Sequence, residues 1–164
     1  MTLGTRVAVM RDGIVEQVAP ALDVFRRPAN AFVAGFVGSP AMNLWRCACH
    51  RVGDRLRAVS SALTIELDGV DFGLPDGGEV RVGVRPHDIG LVPDGDGDGA
   101  GRVDVVEPLG PVTLVHLRVD GLPHELVRVV VAGDSGIAVG DRAGFSARRD
   151  RLHLFDGEGR RRLN

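Results

Sequence analysis

The apolar residues of the first forty positions form short runs separated by turn and helix-start signals. Two of these runs flank Asp12-Gly13 and predict a β-hairpin, because Asp-Gly between apolar runs is a strong tight-turn signal. Pro20 then indicates the start of a short helix in which Leu22 and Phe25 share one face. The predicted hairpin strands are 7–10 and 14–18. These elements do not close a core, so their apolar faces need another part of the protein to cover them.

A second short helix is predicted within the stretch 27–44, which reads RPANAFVAGFVGSPAMNL. Asn30 is a favourable N-cap, Gly38 suits the C-terminal end of the helix, and Pro40 lies where a helix is expected to stop. The residues assigned to its apolar face are Phe32, Val33, Phe36 and Val37. The stretch is interpreted as a junction between the last piece of one domain and the whole of another. A core helix inside a single domain is the alternative.

Beyond this stretch the chain changes to the alternating pattern that is typical of half-buried strands. In residues 80–84, three valines alternate with an arginine and a glycine. The predicted strands are 44–48, 55–59, 63–67, 80–84, 89–92, 102–106, 113–119, 125–131, 143–147 and 152–155. Many short strands with glycine-rich turns predict a mainly β fold, either a small barrel or a sandwich. Residues 160–164 are expected to form a frayed tail.

Composition narrows the class of protein. The chain has 164 residues, of which 44% are hydrophobic and 26% charged, and its formal net charge is −2. These values are typical of a globular protein, and a nearly neutral chain does not favour a dedicated nucleic-acid binder. No apolar run approaches the roughly 20 residues that span a bilayer, and the first residues lack the pattern of a signal peptide. A cytoplasmic location is therefore expected.

The run from Asp94 to Gly99 reads DGDGDG and invites comparison with a calcium-binding loop. Asp94, Asp96 and Asp98 match the first half of an EF-hand loop, but the position of the closing glutamate is occupied by Val105. The run is therefore interpreted as a solvated, flexible connector, and no metal is expected there.

Cys47, Cys49 and His50 form the only other cluster of metal-ligand type. A structural zinc site normally needs four ligands, and no second pair accompanies these residues. Buried or half-buried thiols are expected instead. The other histidines show no spacing of a catalytic triad, and each is expected to be solvated or hydrogen-bonded; they are His87, His116, His124 and His153.

Motifs of an active site are missing from the sequence. A phosphate-binding loop of the GxxxxGK[ST] type needs lysine, and all 20 basic residues other than histidine are arginines. A GxSxG nucleophile elbow is also absent. We therefore assign no catalytic, cofactor-binding or metal-binding residue to this chain.

Four stretches carry a family resemblance that spans the chain almost from end to end. They read GTRVAVMRDGIVEQVAPALDVFRRPANAFVAGFVGSPAMNL, VRVGVRPHDI, VEPLGPVTLVHLRV and GDRAGFSARRDRLHLFD. In this order they resemble the C-terminal part of an ABC-importer ATP-binding subunit of the type that serves maltose, other sugars and glycerol phosphate. In that family the phosphate-binding loop, signature motif, catalytic glutamate and switch histidine lie upstream of the region matched here.

The resemblance implies a division of the chain into two parts. Residues 1–38 would be a remnant of an α/β nucleotide-binding domain, namely its last hairpin and two short helices. Residues 39–164 would be the OB-like, transport-associated regulatory domain. Such a chain is expected to lack ATPase activity alone, while ATP and Mg²⁺ bind elsewhere in the complete subunit.

The resemblance also implies partners and a location. In the family, the regulatory domain pairs with its copy in a homodimer, the complete subunit binds membrane permeases, and some members receive regulatory proteins or small effectors. The subunit is cytoplasmic and peripheral on the inner face of the membrane. The residues that we assign to the dimer interface are Arg85, Pro86, His87, Asp88, Glu107, Gly110 and Val112. At His87 the family commonly has glutamate.

Two alternatives stay open at the level of sequence. The interface residues include a proline, Pro86, and a glycine, Gly110, which are residue types that strand ends and turns require in any protein. A free-standing OB-like module that binds a small oxyanion such as molybdate is the competing function, since transport-associated domains resemble such modules. The transported solute lies beyond what the sequence specifies.

Overall fold

The computed structural model describes residues 4–53, 55–67, 76–120, 122, 124–133 and 135–164. Within these ranges the chain forms twelve strands and two short helices, so the prediction of a mainly β fold is confirmed. The elements are β1 (Val7–Arg11), β2 (Ile14–Ala19), α1 (Ala21–Arg26), α2 (Ala31–Phe36), β3 (Asn43–Val52), β4 (Arg55–Val59), β5 (Thr64–Leu67), β6 (Gly78–Val84), β7 (Ile89–Val92), β8 (Gly99–Pro108), β9 (Val112–Val119), β10 (Leu126–Ala132), β11 (Arg142–Ala147) and β12 (His153–Asp156). Single 3-10 turns cover Pro86–Asp88 and Arg149–Arg151. Neither α-helix has the length and apolar character needed to cross a membrane.

The predicted hairpin is present and its turn has the expected geometry. Asp12 has a φ of 48° and Gly13 a φ of 82°, so both central residues adopt the left-handed conformation that a tight two-residue hairpin loop requires. The hairpin is followed by α1, which begins one residue after Pro20 as predicted. Leu22 and Phe25 lie on one side of this helix as predicted, but that side is not the inner one, because Val24 is the buried residue and Leu22 is 51% exposed.

Helix α2 also has the predicted start but a different inner face. The Oδ1 atom of Asn30 accepts a hydrogen bond from the Val33 amide at 2.9 Å, which confirms the predicted N-cap. The inward residues are Ala31, Val33 and Ala34, whereas Phe36 is 68% exposed. Small side chains face inward because the two alanines pack closely on the β part of the chain, against Met42 and Phe155.

Two five-stranded antiparallel sheets form the larger part of the molecule. The strand orders are β10-β9-β8-β11-β7 and β12-β6-β3-β4-β5, and residues from both sheets share one hydrophobic core. The alternation predicted for 80–84 is confirmed, because all three valines are fully buried in that core. In the described residues the two sheets are not closed into a barrel, so the arrangement agrees with the sandwich alternative of the expected OB-like fold.

Asn43 connects the two sheets by imitating a backbone pair. Its Nδ2 atom donates to the carbonyl oxygens of Val84 and Arg128, at 3.3 and 2.9 Å, and its Oδ1 atom accepts from the Arg128 amide at 2.8 Å. Arg128 lies in β10, at the edge of the other sheet. The buried amide therefore replaces the strand-to-strand hydrogen bonds that are missing at this edge.

The acidic run before β8 is more ordered than a solvated connector. The Asp98 carboxylate is buried, accepts a hydrogen bond from the Ala147 amide at 2.7 Å and forms an ion pair with Arg149. Gly97 has a φ of +85°, and a side chain there would meet the Phe145 carbonyl oxygen at 2.5 Å. The prediction of a flexible connector is therefore wrong at Asp98, because a distant arginine and a strand amide hold its carboxylate.

The expectation of a frayed C-terminal tail is wrong for a similar reason. The Leu163 amide donates to the Leu154 carbonyl at 2.7 Å, and the Asn164 side chain bonds to the backbone of Leu152 and Leu154. The Arg162 amide donates to the Ala29 carbonyl at 3.0 Å. The tail thus continues the sheet edge and also contacts the region between the two helices.

We expect Asp98→Asn to lower the free energy of unfolding by about 2–3 kcal/mol, because the ion pair between the buried Asp98 carboxylate and Arg149 is lost. Urea unfolding followed by circular dichroism measures this change. Asp96→Asn is the matched control, since that side chain is exposed in the same run, and a change within about 0.5 kcal/mol is expected there. Equal effects of the two variants would contradict an anchoring role for Asp98.

Candidate functional site

The junction between the two parts of the chain is built around Arg85. We call residues 4–38 the N-terminal segment and the described residues from 39 onward the β unit. Arg85 follows β6 directly, and its Nη1 atom donates to the Val37 carbonyl at 2.8 Å while Nη2 donates to the Phe25 carbonyl. Its guanidinium carbon lies 3.6 Å from the centre of the Phe25 ring. One side chain of the β unit therefore holds the C-terminal ends of both helices.

The position of this cation is favourable for physical reasons. Helix C-termini present carbonyl groups without intrahelical partners, and these carbonyls carry partial negative charge. Arg85 is only 2% exposed, and burial lowers its pKa to about 10, so the guanidinium stays charged at neutral pH. Gly38 leaves room for it: the φ of Gly38 is +129°, and a Cβ there would lie 2.8 Å from Nη1 of Arg85.

The residues that follow Arg85 extend the junction. His87 stacks on Phe25 with the ring centres 5.9 Å apart and the planes 9° from parallel. The Asp88 carboxylate lies 3.4 Å from Nε2 of His87, and the Asp88 carbonyl accepts from the Arg148 amide. His87 occupies a position at which the resembled family commonly has glutamate. Its imidazole contacts Phe25 of α1.

A second set of contacts ties the N-terminal segment to the C-terminal tail. The Ala31 amide donates to the Gly159 carbonyl at 2.9 Å, and Arg162 donates through its side chain to the Arg26 carbonyl at 3.3 Å. Together with the Arg162–Ala29 hydrogen bond, these contacts fix both ends of the loop between α1 and α2. The N-terminal segment is thus attached to the β unit at two places.

Apolar side chains remain exposed on the outer side of the N-terminal segment. Val9 is buried against Val24 and Val33 in a small separate core. Seven of the eleven exposed large hydrophobic residues in the described part of the chain nevertheless lie in this segment. They are Val7, Met10, Ile14, Val15, Val18, Leu22 and Phe36.

The residues assigned to a dimer interface lie in two places. In the first group, Arg85, Pro86 and Asp88 are buried within the chain, and His87 is exposed. The second group lies at the β8–β9 connection. Glu107 is next to the last residue of β8, Gly110 has a φ of +87°, and Val112 begins β9. A role of either group between copies of the chain stays a prediction.

The other side chains considered at the level of sequence have structural surroundings. Cys47 and Cys49 point inward from β3, which confirms the expected buried thiols, and burial raises the pKa of Cys47 to about 12. His116 pairs with Glu107 at 2.6 Å. His153 departs from the expectation of a solvated or hydrogen-bonded ring, because it is buried and its Nδ1 atom has no hydrogen-bond partner in the described structure.

Two family models match the chain in succession. Residues 38–89 match the MalK OB fold domain, and residues 82–155 match the TOBE domain. The molybdate-bound structure of the cytoplasmic molybdate-binding protein ModG is similar in fold, with a TM-score of 0.53 and 16% identity over 68% of this chain and 94% of that chain. At this identity the likeness concerns the fold alone.

Curated relatives extend over nearly the whole chain. The xylose/arabinose import ATP-binding protein XacK of Haloferax volcanii is 40% identical over 96% of this chain and 41% of its own length. The α-glucoside transport ATP-binding protein AglK of Rhizobium meliloti is 35% identical over 97% of this chain and 44% of its own length. An sn-glycerol-3-phosphate import ATP-binding protein, UgpC of Rhodopseudomonas palustris, is 36% identical over all of this chain and 45% of its own length. The chain thus spans less than half the length of these relatives.

We expect Arg85→Ala to loosen the N-terminal segment selectively, at a cost of about 3 kcal/mol, because two helix ends lose a charged donor. Hydrogen exchange should show faster exchange in α1 and α2 and unchanged protection in β3 and β6. Arg102→Ala is the control, since Arg102 also donates to a backbone carbonyl but does so on the surface of the β unit. Uniform loss of protection in both parts, or none, would contradict this role of Arg85.

Proposed function

This chain belongs to the ABC-importer ATP-binding subunits of the sugar and glycerol-phosphate type, matching their C-terminal part, and we propose that it serves as the regulatory and dimerisation portion of such a subunit. The observation that carries the proposal is the succession of a MalK OB fold domain and a TOBE domain over residues 38–155. The solute would be a carbohydrate or a related compound.

The proposed division assigns residues 1–38 to the end of a nucleotide-binding domain and residues 39–164 to the regulatory domain. Two observations support it. The N-terminal segment has its own small core, separate from the core shared by the two sheets. Its outer side carries most of the exposed apolar residues, which would be covered by the rest of a nucleotide-binding domain.

The contacts at the junction suggest how a movement of the nucleotide-binding domain would be passed to the β unit. Polar contacts hold the N-terminal segment to the β unit at Arg85 and at the C-terminal tail. If the outer side of the hairpin packs on a nucleotide-binding domain, a rotation of that domain moves the β unit with it. A homodimer formed through two β units would then keep two subunits together while their nucleotide-binding domains separate and close.

In the part of the chain that the structure describes, we identify no residues of the resembled type for holding ATP or Mg²⁺. A phosphate-binding loop of the resembled type needs lysine, which the chain lacks, and the described residues contain no group of three or more potential metal ligands. We therefore assign the hydrolysis of ATP to other parts of the subunit, and we propose that the partners of that subunit are membrane permeases on the cytoplasmic face.

A domain exchange tests the proposal. The C-terminal part of an XacK- or AglK-type protein is replaced by this chain, and sugar uptake and ATP hydrolysis by the assembled importer are measured. We expect uptake well above that of the truncated protein, whereas this chain alone should hydrolyse no ATP. The same exchange carrying Arg85→Ala should lose uptake. An exchanged protein that hydrolyses ATP but is no better than the truncated one in uptake or assembly would refute the assignment.

We expect the isolated chain to form a dimer through the β unit, and Val112→Glu to weaken this dimer about tenfold or more, since a charge would enter the assigned interface. Sedimentation velocity over a range of concentrations measures the change. Val139→Glu, at a valine that is 65% exposed, is the control and should leave association unchanged. Monomer alone at the highest concentration would contradict self-association, and equal weakening by both variants would contradict this interface.

A further inference from the structure

A basic groove lies where the N-terminal segment meets the β unit. Its volume is about 660 Å³, within the range of about 300–1,000 Å³ that is typical of small-molecule sites. Six arginines line it, from both parts of the chain: Arg26, Arg27, Arg85, Arg148, Arg151 and Arg162. Only two carboxylates, those of Asp88 and Asp150, face the same groove, so four positive charges are uncompensated.

The charges are distributed unevenly between the groove's two sides. Asp150 is engaged by Arg148 at 2.9 Å and by Arg151 at 3.4 Å, both on the β unit. On the opposite side, Arg26 and Arg27 form no ion pair with any carboxylate in the described part of the chain. The groove therefore offers cations that the protein itself does not neutralise.

Two buried polar atoms in the lining lack partners, and this observation is independent of the arginine count. Among the described residues, Nε of Arg85 and Nδ1 of His153 are buried without a hydrogen-bond partner. Arg85 is 2% exposed and His153 is 8% exposed. A buried donor without a partner is unfavourable, so an anion whose oxygen reaches Nε of Arg85 would gain a hydrogen bond that the protein itself does not supply.

The ionisation of the lining points the same way. Burial, together with the positive charges of Arg162 and Arg85, lowers the pKa of His153 to about 4. The pKa of Arg162 is also lowered, by burial and by Arg27. Positive charges in the lining thus disfavour one another, as Arg27 does Arg162, and a bound anion would relieve that repulsion.

From this arrangement we propose that the groove is a binding site for a phosphate monoester of a small molecule. Arginine forks match the oxygens of a phosphate, which accepts two parallel hydrogen bonds from each guanidinium. The carbon part of the molecule lies along the apolar lining formed by Leu22, Phe25 and Leu152. The site is shared between the N-terminal segment and the β unit, so the bound phosphate holds the junction closed. Binding by this chain does not depend on the importer role proposed above.

Calorimetric titration of the chain with sn-glycerol 3-phosphate and with inorganic phosphate, each against sodium chloride of equal ionic strength, tests the proposal. We expect saturable binding of the phosphate compounds, with the monoester tighter than inorganic phosphate because its carbon part contacts the apolar lining. Arg151→Gln should weaken binding about tenfold, since one charged hydrogen-bond donor is lost. Arg160→Gln is the control, because Arg160 is exposed and does not line this groove.

His153 provides a second measurement of binding, which is made on the wild-type groove. In NMR titrations of the wild-type chain, the ring resonances of His153, assigned with His153→Gln, should shift on binding, and the pKa of His153 should rise. The resonances of His124, an exposed histidine that does not line the groove, should not change. The absence of saturable binding, an equal loss in Arg151→Gln and Arg160→Gln, or an unperturbed His153 would overturn the proposal.

Discussion

The attachment of the N-terminal segment depends on one buried cation and the two helix ends that it serves. Each helix has six residues, far below the length at which a helix is stable alone in water. Their last carbonyls need donors, and the Arg85 guanidinium supplies donors to both. The cation in turn loses its hydration on burial and recovers part of that loss from these carbonyls and from the ring of Phe25. Neither side of the junction is satisfied without the other.

The β unit and the attachment of the N-terminal segment are therefore stabilised by different kinds of interaction. The two sheets are held together by a continuous apolar core and by the backbone-like pairing of Asn43. The N-terminal segment has little apolar area in common with that core, apart from the small cluster of Ala31, Ala34, Met42 and Phe155. Its orientation is therefore set by directional polar contacts. Hydrogen bonds of this kind fix an angle between two parts while leaving each part with its own interior.

Local signals in the sequence were sufficient to predict the strands, turns and helix starts, but not the distant residues against which they pack. Asp12-Gly13 and Asn30 act on residues next to them, and the alternation in residues 80–84 reports a period that the sheet imposes, so all three predictions are confirmed. The inner face of α2, the anchoring of Asp98 and the order of the tail depend on partners far away in the chain, such as Arg149 for Asp98. The assignment of Arg85 to a dimer interface stays a prediction. Its contacts within the chain were not predicted, because the carbonyls that it binds lie 48 and 60 residues away and carry no sequence pattern.

The hydrogen bonds that join Ala29 and Ala31 to Arg162 and Gly159 determine the order in which parts of the chain become stable during synthesis. On the ribosome the hairpin and the two helices emerge before Gly159 and Arg162, which lie far along the chain. Until then the nascent helices lack part of their support, and their apolar surface is presented to whatever surrounds the growing polypeptide. The hairpin and the two helices are thus made before the residues that secure them, and chaperone protection matters during that interval.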